Sequence, residues 1–327
     1  MTNWDIPTGG KLAILIVLIA GSISAGYVAR RLGLSARIAR ALMWAVMLLP
    51  YTLVSFLAIW VLQFSPEHIV LPFFGMAVMT AGLGVGAVFA RALKLARPTA
   101  GSFVLSAGIA NLGFTMGAFV NFALFGEQGL AVAQMYTLFW EFGMVLVLYP
   151  VARHYGHGGD APLWKLILAN FRDVRSLPLV AAIIGLTLNR LGVPRPEIIS
   201  RCGAVNVLII VGTVVAFFTT GLLLHFDRIG QHRWLYLIIA GVKFVFCPLV
   251  GAALVTGMWL IGVPLIHPAS APAWKVLLVQ ASTPIGVYAV VISNLFHLDD
   301  RFASVTFVVN TAMYLAIVLP IVVLVLG

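Results

Sequence analysis

The chain has 327 residues, 62% of them hydrophobic and 9% charged, with a mean hydropathy of +1.07. A soluble domain carries roughly 25% charged residues because its surface faces water, so this composition excludes one and requires lipid over most of the surface. The net charge of +10 comes from twenty basic residues scattered through short loops, a pattern that reads as membrane topology and not as a nucleic-acid patch.

At ~20 residues per spanning helix plus short connections, the length has room for about ten spans. The first apolar run, 12–29, follows only Lys11 and ends at Arg30-Arg31. A cleaved signal peptide has the reverse order, so this run predicts a retained first span. Uncharged runs predict a second span over 41–66, a third over 69–90 and a fourth over 98–126. The fifth, 128–152, is interrupted only by Glu141. In the sixth only Ser176 to Asn189 is free of charge, and Arg175 and Arg190 would snorkel from its ends. The seventh covers 202–224, the eighth 234–266 with Lys243 inside it, the ninth 276–296 and the tenth 302–327. Trp164, Trp234 and Trp274 near span ends read as interfacial anchors. Cys202 and Cys247 have neither metal-ligand nor disulfide spacing, and no cofactor motif or metal site is expected.

Ten spans with the N-terminus outside make a charge test. The loops then inside hold Arg30, Arg31, Arg37, Arg40, Arg91, Lys94, Arg97, Arg153, Lys165, Arg172, Arg175, Arg228, Arg233 and Arg301, fourteen in all. Outside are five: Lys11, Arg190, Arg195, Arg201 and Lys275. The bias predicts a multi-pass protein of the cytoplasmic membrane with both termini outside, although the 190–201 loop runs against it.

The two halves resemble each other at matching places. Gly26-x4-Arg31-Leu32-Gly33-Leu34 closes the first span, and Gly185-x4-Arg190-Leu191-Gly192-Val193 closes the sixth. Gly117 precedes Pro150 by 33 residues, as Gly286 precedes Pro320 by 34. An offset of five spans is odd, so the second half (about 165–327) would lie upside-down relative to the first (about 1–155). Inverted repeats are a transporter device. The fourth span holds Asn111, Gly113, Thr115 and Gly117, and the ninth holds Ser282, Thr283, Pro284 and Gly286. Helix breakers and small polar groups at mid-span are tolerable only where protein or a wet cavity satisfies the backbone. Two broken helices crossing near the midplane would aim the half-helix N-termini at one cavity.

At these residues the chain resembles a known family. Asn111-Leu112-Gly113-Phe114, then Ala123-Leu124-Phe125-Gly126 and Gly129-Leu130, resembles the fourth-span signature of the auxin efflux carriers. Ser282-x-Pro284, Leu298-Asp299 and Ala303-Ser304 resemble the family around the ninth and tenth spans, and Leu177-Pro178 through Gly185 to Gly221-Leu222 resembles its sixth and seventh. The resemblance implies a single domain of ten helices in a five-plus-five inverted repeat, related to the bile-acid/sodium symporter fold. It implies a scaffold of spans 1, 2, 6 and 7, a mobile transport unit of spans 3–5 and 8–10, and organic anions such as auxin and dicarboxylates as substrates. One departure stands out: the family's proline just after Asn-x-Gly-Phe is missing from Met116-Gly117-Ala118-Phe119, which leaves Gly113 and Gly117 to break the fourth span.

Glu141 and Lys243 are the only charged side chains deep inside predicted spans. A central charge costs ~2.5–3.5 kcal/mol on insertion scales, so such residues face the bundle interior and serve a site or a partner. Either the two pair as a buried bridge or Lys243 snorkels, or else Lys243 attracts an anion while Glu141 handles a proton, with Asn310 near the repeat-equivalent of Glu141. Tyr136, Tyr288, Asn121 and Asn206 are further cavity candidates, each equally at home in an interior hydrogen bond. His225-x-Asp227 and His297-x-Asp299-Asp300 read as solvated span ends. The leading reading is a carrier of small organic anions, by proton coupling or uniport, and no enzyme. Sodium coupling is the alternative. A membrane-embedded transferase would call for paired acids or a metal cluster, and a channel or sensor for neither an inverted repeat nor this lack of a signalling domain. Span faces suit lipid and a second copy of the chain equally, so a homodimer fits too.

Overall fold

The computed structural model describes residues 8–113, 116–156, 165, 177–223, 232–262 and 273–326. Every regular element among them is helical, as lipid demands of a chain that must satisfy its own backbone. α1 covers Thr8–Arg31. α2 (Ala36–Val46) passes through a π-helical turn, Met47–Tyr51, into α3 (Thr52–Trp60). α4 is Leu71–Ala92, α5 Arg97–Gly108 and α6 Gly117–Thr137. α7 (Trp140–Gly143) leads through a π turn, Met144–Leu148, into α8 (Tyr149–Tyr155). α9 (Leu177–Arg190), α10 (Glu197–Arg201) and α11 (Ala204–Leu223) follow. α12 (Arg233–Gly241) joins α13 (Cys247–Leu260) through a π turn, Val242–Phe246. α14 is Ala273–Ala281 and α15 Tyr288–Leu295. α16 (Asp300–Met313) joins α17 (Leu319–Leu326) through the last π turn, Tyr314–Val318.

Among the described residues six helices are long and apolar enough to cross a membrane: Ala13–Arg31, His68–Ala92, Gly117–Tyr155, Ala204–Leu222, Arg233–Leu260 and Asp300–Leu326. Trp44–Trp60 and Leu177–Arg190 are shorter apolar helices. The protein is therefore an all-α membrane protein. Within α6, Gly126 adopts φ 64° and ψ −155°, a backbone open only to glycine at low cost. The kink falls where the sequence divides its fourth span from its fifth.

The π turns have a common cause. A proline lacks the N–H of a helical residue and its ring clashes with the carbonyl four residues earlier. Pro150, Pro248 and Pro320 each come two residues after a π turn, and Pro50 lies inside one. Just before each of the first three, the N–H of Tyr149, Cys247 or Leu319 reaches back five residues, to Met144, Val242 or Tyr314. The wider turn absorbs the proline without ending the helix.

Two close helix pairs frame the bundle. α1 lies against α11, where a side chain on Gly26 would collide with the Phe218 carbonyl and one on Gly221 with that of Ile23. α3 lies against α9, where a Cβ on Gly185 would sit 2.5 Å from the Phe56 carbonyl oxygen. One apolar core runs through Leu15, Val54, Phe119, Phe217, Leu277 and Val323, and a second through Phe103, Leu148, Ile239, Ile292 and Phe302. Ile109 and Ile285 pack in the second core and Met116 and Val279 in the first, so the ends of α5 and α14 lie where these cores meet.

Candidate functional site

α5 stops at Gly108 because Ile109 turns extended (φ −77°, ψ 119°), and α6 begins at Gly117. α14 stops at Ala281, and Pro284 keeps the following residues from continuing it. The two interruptions cross. Ala110 and Ile285 form an antiparallel bridge, in which the Asn111 N–H donates to the Pro284 carbonyl (2.8 Å) and the Gly286 N–H to the Ile109 carbonyl (3.2 Å). Exchanging 109–111 with 284–286 exchanges the two bonds, so the crossing is locally two-fold symmetric. Gly286 is what lets the chains touch: a Cβ there would lie 2.7 Å from the Ala110 oxygen. The Ile285 N–H, left out of the bridge, donates to Asn310 Oδ1 (3.3 Å). The first interruption forms with no proline in the sequence from Ile109 to Phe119.

Of the sequence-predicted site residues, Asn111, Pro284, Gly286 and Asn310 thus meet directly. Gly117 stands beside them; a side chain there would collide with Gln280 Oε1. The half-helix that Gly117 starts does not offer its first N–H groups to a ligand, since those of Gly117 and Ala118 donate to the Asn111 and Leu112 carbonyls (2.9 and 3.0 Å). Ser282 and Thr283 are buried, and their hydroxyls donate back to Leu278 (2.7 Å) and Gln280 (2.8 Å) carbonyls, closing the end of α14. Gly113 opens instead towards Tyr51, whose hydroxyl is 4.0 Å from where a Cβ would be. Thr115 lies outside the described residues, as do His225 and Asp227. Among the described residues no cluster of three metal-ligating side chains occurs.

One residue that the spacing did not single out, Gln280, belongs here, and so does Asn121, one of the weaker cavity candidates. Gln280 Nε2 donates to the Leu112 carbonyl (3.4 Å), and Asn121 Nδ2 to the Gly117 carbonyl (2.8 Å). Gln280 Oε1, Asn121 Oδ1, Asn310 Nδ2, Thr311 Oγ1 and Tyr314 Oη are buried without a hydrogen-bond partner among the described residues. Buried polar atoms are normally paired, so these five, on α6, α14, α16 and the π turn after it, are unspent hydrogen-bonding capacity that water or a polar solute could use.

Glu141 and Lys243 do not form the bridge that was one of their readings. Lys243 is 1% exposed within its π turn, and its neighbours Val242 and Cys247 pack with Ala107 and Ala281, the last turns of α5 and α14. Among the described residues no carboxylate lies within ion-pair distance of its ammonium. Glu141 is elsewhere. It lines a cavity of about 30 Å³ with Tyr51, Ser55, Gln134, Thr137 and Pro178, where the Ser55 hydroxyl donates to Gln134 Oε1 (3.3 Å). At ~10–15 Å³ per water, this is room for about two. The cavity lies between α3 and α9 on one side and α6 and α7 on the other, and Tyr51 ties it to Gly113. Of the weaker candidates, Tyr136 is buried in the first core and Tyr288 packs edge-on against Trp140, with ring centres 5.8 Å apart.

At one end of the bundle, α6 is latched to α3 and to the 190–201 loop. Arg195 Nη2 pairs with Glu127 (2.9 Å) and donates to Ser200 Oγ (2.9 Å), while its Nη1 donates to the Leu57 carbonyl (3.2 Å). Gln128 Nε2 donates to the Val61 carbonyl (2.8 Å) and its Oε1 accepts from the Gln63 N–H (3.0 Å).

No family model matches the chain, and no curated protein matches it significantly. The geometry therefore carries the functional reading.

Proposed function

We propose that the protein is a secondary carrier of small organic anions, built of ten passes in a five-plus-five inverted repeat like the auxin efflux carriers it resembles. The crossing of two interrupted helices at a hydrogen-bonded bridge is the observation that carries this reading. A structural protein gains nothing from broken helices inside lipid, whereas a carrier uses them to build a polar midpoint that two pseudo-symmetric halves can open to either side. The repeat has further support. Gly26 and Gly185 each abut a phenylalanine carbonyl on a partner helix, and the two helix pairs α1–α11 and α3–α9 exchange under the repeat. Gly33 and Gly192 share a positive φ. The π turns Met144–Leu148 and Tyr314–Val318 lie 170 residues apart, as do Pro150 and Pro320.

In this reading α1, α3, α9 and α11 form the scaffold and the crossed helices move against it. Asn111, Gln280, Asn121 and Asn310 present amides to the substrate, and Lys243 supplies the positive charge that makes an anion acceptable at the crossing. Glu141, facing the scaffold across the Tyr51 cavity, exchanges the coupling proton; if it stays ionised, transport is a uniport driven by membrane potential, worth ~2.3 kcal/mol per charge per 100 mV. Sodium coupling has less support, because a sodium cage needs clustered oxygens with a carboxylate at the crossing. Membrane position with both termini outside follows the loop charges. The test is a thermal-shift screen of the purified protein against mono- and dicarboxylates. A ligand at 100 times its dissociation constant stabilises by ~2.7 kcal/mol. Organic cations that stabilise in place of carboxylates would reverse the charge assignment.

A further inference from the structure

Away from the crossing, the ends of α4 and α8 and the start of α5 enclose a second cleft, of about 630 Å³. Arg91, Lys94, Arg97 and His154 line it, and its floor is Ala90 and Ala100. Among the described residues no carboxylate lines it. Asp299, which reaches α5 nearby, is engaged with the Thr99 hydroxyl (2.9 Å) and the Phe302 N–H (2.9 Å). Arg97 is held in place by its guanidinium, which donates to the His154 carbonyl at 2.6 and 3.2 Å. The wall towards lipid is apolar, with Val88 67% exposed.

Lys94 adds an independent sign. The Leu95 N–H reaches back to the Ala90 carbonyl and the Lys94 N–H to that of Arg91, the bonding of a helix end that wants a left-handed residue, usually glycine. Gly33, Gly192 and Gly262 have positive φ just beyond α1, α9 and α13. Beyond α4 stands a lysine at φ 51°, which a side chain adopts at a cost. The position carries a lysine where the backbone favours glycine, and that lysine lines the cleft.

We propose that this cleft binds the phosphate headgroup of an anionic phospholipid. Four basic side chains, the N-terminal end of α5 and an apolar rim open to the acyl region match a phosphodiester carried on a lipid, as basic pockets between membrane helices do elsewhere. A tendency for basic residues to stay on one side of the membrane explains which end they occupy, but not their convergence from three segments on one cavity. The site is independent of the transported solute.

The test is native mass spectrometry and thermal shift of the full chain in neutral detergent. The probes are dioleoylphosphatidylglycerol, dioleoylphosphatidylcholine and inorganic phosphate. The protein should retain one phosphatidylglycerol, bound at least roughly tenfold tighter than phosphatidylcholine, and Arg91→Gln/Lys94→Gln should abolish the preference. Lys94→Gly, which suits the turn and keeps Arg97 on His154, should weaken phosphatidylglycerol without lowering the melting temperature of the lipid-free protein. Arg30→Gln/Arg31→Gln, with the same charge change, should leave binding intact. Equal loss in that control overturns the proposal, as does the absence of a phosphatidylglycerol preference. Inorganic phosphate binding as tightly as the lipid would also overturn it.

Discussion

Gly286, Lys243 and Glu141 carry most of the account at the residue scale. Gly286→Ala places a methyl group 2.7 Å from the Ala110 oxygen, a backbone atom that cannot swing away. Overpacking of this kind costs ~1–3 kcal/mol, so the melting temperature should fall; Gly84→Ala, with nothing within 4 Å, should not lower it. Lys243→Met keeps the bulk of a side chain that is 1% exposed and removes its charge. Carboxylate stabilisation and uptake should fall by tenfold or more while the fold survives. Unchanged affinity would leave Lys243 a packing role. Rarity alone made Glu141 and Lys243 legible in the sequence, since a charge within an apolar run is conspicuous. Gln280, Gln134, Ser55 and Tyr51 were not, because an uncharged polar residue in such a run costs little and gives no signal of what it faces.

At the scale of elements, breaker residues told where helices stop, and chain order told that the two interruptions correspond. That they touch through a bridge at Ala110 and Ile285 was out of reach, since alanine and isoleucine carry no mark of it. The π turns were hidden too, although their prolines were plain. The most testable element-level device is the latch between α6 and the 190–201 loop. Arg195 and Glu127 are 7% and 17% exposed, so removing one partner leaves a largely buried charge, a change worth ~3–5 kcal/mol in full burial and less here. Glu127→Gln should lower the melting temperature. If α6 moves against α3 and α9 during transport, it should also speed exchange, because the latch must open in each cycle. A destabilised variant with unaltered exchange would make the pair a static brace.

For the whole molecule, composition sufficed to place the chain in lipid, and the loop charges are the basis of the orientation proposed for it. The 190–201 loop, which ran against that orientation, has an explanation in its partners. Arg195 pairs with Glu127, Arg201 with Glu197, and Arg190 lies over the Phe64 ring at 4.7 Å. In the proposed orientation, local partners would offset the cost of placing these cations outside. A C-terminal reporter active only in the cytoplasm should therefore stay silent, and a strong signal would mean a miscounted span, first of all the fourteen-residue α9. The claim on which the rest depends is that the crossed helices belong to an alternating-access carrier. The most direct measurement is counterflow in proteoliposomes: a labelled carboxylate that stabilises the protein is offered outside, with unlabelled substrate loaded inside. The account predicts saturable uptake, accelerated by the internal substrate and sharply reduced in Lys243→Met. Uptake that rises linearly with concentration and ignores the internal substrate would contradict it and make the protein a channel.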